Sequence, residues 1–145
     1  MIELNVSIEI ACPAAEIWQI IADFGQDPRW RAGVTTMAPD PPGLVVPGTT
    51  TDEFITFRGR VHYTGSVVTS VTPGREFAWR TISGIDAEGG RSVVPLGGDR
   101  CLVTVRLRVR FRGLRRLYAP FLGHALKHKL QQDVRRLSDL VIARA

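Results

Sequence analysis

At 145 residues, 44% of them hydrophobic, the chain is long enough to bury a core or enclose a cavity without metal or disulfide support, and too apolar to be disordered. Its longest apolar runs are only a few residues, far short of the roughly 20 needed to cross a bilayer, and the N-terminus lacks a basic-then-apolar signal pattern; one cytoplasmic domain over residues 1–145, with no transmembrane segment, is expected. The net charge of +5 is unevenly divided: residues 106–145 carry eleven Lys/Arg against two acids, net +9, and residues 1–105 carry eight against twelve, net −4.

Along the chain, Ile8 and Ile10 alternate with Ser7 and Glu9, as in a strand with one buried face, and Pro13 then opens a helix where its missing N–H costs nothing. Glu16 suits the positive first turn of that helix, and Ile17, Ile21 and Phe24, with Trp18 beside them, form its apolar face. Asp23, Gly25, Asp27 and Pro28 break it into a second, very short helical turn that ends at Trp30. Residues 39–48 hold four of the nine prolines and two glycines, which predicts a rigid loop. Strand patterns follow at Thr49–Phe57, Arg60–Val71, Glu76–Ser83, Arg91–Leu96 and Cys101–Phe111, with turn chemistry at Arg58-Gly59, Thr72–Arg75, Gly84–Gly90 and Gly97–Asp99. Such short connections join antiparallel neighbours, so a meander is the economical topology.

Arg106, Arg108, Arg110 and Arg112 alternate with Val105, Leu107, Val109 and Phe111, as a solvated outer face requires, so the basic C-terminal region predicts no specific nucleic-acid partner. The last segment repeats apolar residues at threes and fours from Leu114 to Val141, with Pro120 separating a first turn near residues 114–119 from a regular helix. About 25 residues of helix span roughly 37 Å, enough to cross a curved sheet. Cys12 and Cys101 lie in apolar surroundings without redox or metal spacing and are expected as buried thiols.

The segments IEIACPAAEIWQIIADF, DPRWRAGV, FITFRGRVHYTGSVVTSVTPGREFAWRT and CLVTVRLRVRF, followed by the amphipathic helix, resemble the START-related SRPBCC superfamily in its polyketide cyclase/dehydrase and lipid-transport branch. The resemblance covers nearly the whole chain. It implies an α+β helix-grip fold: a curved antiparallel sheet of about seven strands around a long C-terminal helix, with two short helices after the first strand (β-α-α-β6-α). It also implies a cavity between sheet and helix that takes a small hydrophobic or amphipathic molecule, as carrier or as cyclase, aromatase or dehydratase.

Trp30, Phe54, Tyr63, Trp79, Phe121 and Leu122 are the expected ligand-binding residues, and Trp18 is expected to pack helix on sheet. Val61, Val67 and Val71 share the parity of Tyr63, which turns Tyr63 inward and His62 outward unless a bulge intervenes. Glu53, Tyr63, Arg80 and Thr81 are the polar candidates for acid/base chemistry, but alternation sets Arg80 opposite Trp79 and Thr81, and no acid/base pair is recognisable; catalytic residues remain unassigned. His124 and His128 stand one helical turn apart, yet they lack the glutamate of the zinc-protease helix and a third ligand, so neither a metal nor another cofactor is expected. There is no G-x-S-x-G elbow and no phosphate loop. A homodimer through an exposed sheet edge is compatible with this reading.

Overall fold

The strand patterns assemble into one sheet. The computed structural model describes residues 1–111, 113 and 119–143, in the order β1 (Ile2–Ile10), α1 (Ala14–Ile21), a 3-10 turn (Phe24–Arg29), β2 (Val34–Asp40), β3 (Thr50–Phe57), β4 (Arg60–Thr72), β5 (Glu76–Gly84), β6 (Asp86–Gly97), β7 (Arg100–Arg110) and α2 (Ala119–Ile142). The seven strands are antiparallel in the order β1-β7-β6-β5-β4-β3-β2: a meander whose last strand closes against the first. This is the α+β helix-grip architecture expected from the sequence.

Pro13 stands at the N-cap of α1, and Glu16 accepts a hydrogen bond from Cys12 Sγ at 3.2 Å. Asp23 starts the 3-10 turn, its Oδ1 accepting from Gly25 N at 3.0 Å. Trp18 is buried and meets Phe77 edge-on at 6.2 Å between ring centroids, which fixes α1 on the sheet.

Two local expectations are corrected. Residues 34–40 form edge strand β2, so the predicted loop at 39–48 loses its first two residues to the sheet; Pro39 is tolerated because an edge strand can spare a donor. The segment Gly84–Gly90 is mostly strand: β6 starts at Asp86 and runs through Gly89 and Gly90. Those glycines make room for other atoms, since a Cβ on Gly89 would lie 2.4 Å from the Arg106 carbonyl oxygen and 2.8 Å from Trp79 Cζ2. The expected separate turn near residues 114–119, and Tyr118 with it, lies outside the described residues, except that Ala119 begins α2. Pro120 therefore falls in the first turn of α2, where no helical donor is lost.

Packing divides α2 lengthwise. Val134, Leu137 and Val141 in its C-terminal half are buried in the same core as Ile10, Ile17 and Ile21. Leu122, Leu126, Lys129 and Leu130 in its N-terminal half instead roof an open space above the sheet.

Candidate functional site

That space is a cavity of about 450 Å³ between the concave face of the sheet and α2. Its apolar surface comes from Trp79 on β5, Val105, Leu107 and Val109 on β7, Ile55 and Phe57 on β3, and the leucines of α2. Between β3 and β5, β4 presents a polar stripe of Arg60, His62, Thr64 and Ser66, which Thr51 and Thr81 widen on either side. The cavity is thus amphipathic.

His62 faces inward, and the parity expectation is corrected. β4 keeps strict alternation from Arg60 to Val68, but Val68 pairs with Trp79 while Ser70 pairs with Ala78, leaving Thr69 as an extra residue. This bulge returns Val71 to the concave side without moving Val61, Tyr63 or Val67 there. The inward position of Val71 therefore says nothing about the parity of Tyr63.

Charged groups close one end of the cavity. Arg91, 5% exposed, donates from Nη1 and Nη2 to the carboxylate of Asp27 at 2.8 and 2.6 Å, and from Nη1 to the Ile21 carbonyl at 3.0 Å. Its guanidinium also lies over the rings of Trp30, Phe24 and Phe77, at 4.8, 5.0 and 5.8 Å. Asp27, fully buried, accepts a further bond from Arg31 at 2.9 Å, and Arg31 in turn pairs with Glu53. On α2, Lys129 Nζ lies 2.6 Å from Asp133 Oδ2, and Asp133 Oδ1 accepts from Ala32 N at 3.0 Å. Three cations and three carboxylates balance here, and they tie the 3-10 turn, β3, β6 and α2 together at the cavity edge.

Environment sets the protonation of two of these groups. Burial disfavours the charge on Arg31, but Glu53 and Asp27 more than offset it and hold the guanidinium protonated. Burial, followed by the nearby positive charge of Arg31, lowers the Lys129 pKa below the ordinary lysine range, with Asp133 and Glu53 opposing.

The expected ligand-binding residues fall in different places. Trp79 and Leu122 line the cavity. Phe54 and Tyr63 are cross-strand partners on the outer face, 5.2 Å apart and each 40% exposed, with the Tyr63 hydroxyl donating to Asp52 at 2.5 Å. They point outward because Glu53, Ile55 and His62 take the inward positions on either side of them. Phe121 is 77% exposed, since it sits about 100° around α2 from Leu122. Trp30 is buried beneath Arg91, and its Nε1 meets no acceptor among the described residues.

Of the polar candidates, Glu53 and Thr81 reach the cavity, while Tyr63 does not. Arg31, Arg91 and Lys129 were missed; Arg91 carried a legible signal, because it shares the parity of fully buried Val93. Among the described residues no group of three or more His, Cys, Asp or Glu side chains is arranged to hold a metal, and no helix is long and apolar enough to cross a membrane.

Several solved structures share this arrangement. The TTHA0849 protein from Thermus thermophilus superposes with a TM-score of 0.83 at 12% identity, covering 99% of both chains. A START superfamily protein from Mycobacterium smegmatis gives 0.81 at 20% identity over the whole of both chains. The Zhui aromatase/cyclase from Streptomyces sp. R1128 gives 0.77 at 14% identity, covering 98% of this chain and 94% of its own. At such identities the likeness shows the fold alone. No curated protein matches the chain. A family model nevertheless matches residues 1–141, almost the full length of the sheet and roofing helix just described, and the chain belongs to that family, polyketide cyclase / dehydrase and lipid transport.

Proposed function

We propose that the protein binds a small amphipathic molecule in the cavity beneath α2, with the apolar part against Trp79, β7 and the leucines of α2 and the polar part along β4. The carrying observation is the 450 Å³ space itself, apolar along β7, Trp79 and α2 and polar along β4 at His62, Thr64 and Ser66. Sequestration or transport needs nothing more than this. The test is displacement of a fluorescent apolar probe. Filling the roof by Leu126→Trp should abolish uptake while the unfolding midpoint stays within a few degrees of the parent. Unchanged uptake would refute the site.

A second reading is favoured by one observation: Glu53, His62 and Lys129 reach the same cavity, and burial holds Lys129 below its usual pKa. Groups of this kind can exchange protons with an enolisable β-keto chain held against the apolar wall, as cyclisation or dehydration requires. Incubating the protein with a poly-β-keto thioester and following product by chromatography tests it. A rate that falls in His62→Gln while probe binding persists would support catalysis; product at the uncatalysed rate would refute it.

A further inference from the structure

His124 and His128 are the motif that the cavity leaves unused. They stand on the exposed side of α2, one turn apart, with Gln132 a further turn along the same stripe. Facing them is Arg58, at the tip of the β3–β4 hairpin, and together with Ala32 and Gly33 these residues outline a groove of about 540 Å³. The groove adjoins the cavity, and Phe57, Arg58 and Lys129 border both.

Two features make it a built recess. Gly33, at φ +81°, lies so close to β3 that a Cβ would sit 2.2 Å from the Thr56 carbonyl oxygen, so the floor is formed by bare backbone. Asp133 bridges Ala32 N and Lys129 Nζ, which fixes α2 at a set distance from that floor. The charge is one-sided. Arg58, His124 and His128 have no carboxylate partner among the described residues, and no acid lines the groove; Asp133 stands behind Lys129 and is occupied with it.

Building on the cavity reading above, we propose that this groove receives an anionic head group, a carboxylate or a phosphate, of an amphiphile whose apolar chain lies in the cavity. Arg58 supplies a planar, permanently charged donor fork; the two imidazoles and the Gln132 amide supply donors from the opposite side. The apolar chain would then enter past Phe57, which separates groove from cavity.

The experiment compares dodecanoate, dodecyl phosphate and dodecanol as displacers of a fluorescent apolar probe from the full chain in low salt. Either or both anions should displace it at about tenfold lower concentration than the alcohol, as one permanent charge and the hydrogen-bond donors around it can supply, and which does so best identifies the head group. The advantage should fall to about twofold in an Arg58→Gln/His124→Gln/His128→Gln variant and in high salt. In the parent, the preferred anion should shift the ring resonances of both histidines, whereas dodecanol should not. Equal displacement by all three compounds, or an anion advantage that survives in the triple variant, overturns the head-group assignment and leaves the cavity reading standing. Displacement by none of them overturns both. Histidine shifts produced as fully by inorganic phosphate alone would overturn the link between groove and cavity.

Discussion

Replacing Asp27 by Asn isolates the contribution of the buried charges at the cavity edge. The substitution keeps shape and removes the charge that faces Arg91 at 2.6 and 2.8 Å and Arg31 at 2.9 Å. Removing one partner of a buried ion pair typically costs about 3–5 kcal/mol, because the other charge is left desolvated. Arg31 retains Glu53, whereas Arg91 retains only the Ile21 carbonyl and three aromatic faces, so the loss should lie near the lower end, about 3 kcal/mol. For a chain of this size that corresponds to a fall in melting temperature of roughly 9 °C. Urea unfolding of Asp27→Asn measures the loss, and adding Arg91→Met should recover most of it, since no buried charge then lacks a partner. A loss below about 1 kcal/mol, or a double variant less stable than the single one, would show that Asp27 does not neutralise Arg91 in the fold.

Four further outcomes follow from the placement of individual residues. Trp79→Ala should weaken apolar-probe uptake about tenfold or more, while Phe54→Ala and Phe121→Ala, on surfaces away from the cavity, leave it within about twofold; equal effects would contradict the assignment of inner and outer faces. Cys12, whose pKa burial and Glu16 raise to about 11, should hold about a hundredfold less thiolate than an ordinary cysteine at pH 8 and alkylate correspondingly slowly. Because its folded pKa is raised, its stabilising contribution is complete below pH 9 and is lost as pH climbs towards 11, which stability curves with and without Cys12→Ala can resolve. Gly89→Ala should destabilise by about 2 kcal/mol or more, since the added methyl meets backbone of β7 and the Trp79 ring; a neutral result in thermal unfolding would refute that close approach.

The fold was legible because its signals are local and agree with one another. Pro13 and Glu16 mark the start of α1, turn residues separate the meander strands, and the apolar repeat marks α2. The site was less legible, for a physical reason. Sequence reading equates apolar with inward, but the inner positions of β4 are polar while its outer positions include Val61 and Tyr63. A cavity wall inverts the rule that holds for a core. Tyr63, expected inward on that rule, therefore lies outside beside its partner Phe54, while Trp79, on a strand without such inversion, lines the cavity. The partners of Arg91 were beyond reach because Asp27 is 64 positions away and only the folded chain brings them together.

Thr69 decides which face of β4 lines the cavity. The extra residue lets one strand keep apolar side chains on the core at one end and polar ones on the cavity at the other. Deleting Thr69 would leave a regular ladder with both ends as they are, whereas pairing Thr69 into the ladder, with the core end anchored by Val71, would turn Val61, Tyr63 and Val67 inward in place of His62, Thr64 and Ser66. The polarity of the cavity wall thus depends on one residue staying unpaired at its far end, as well as on the side chains that line it.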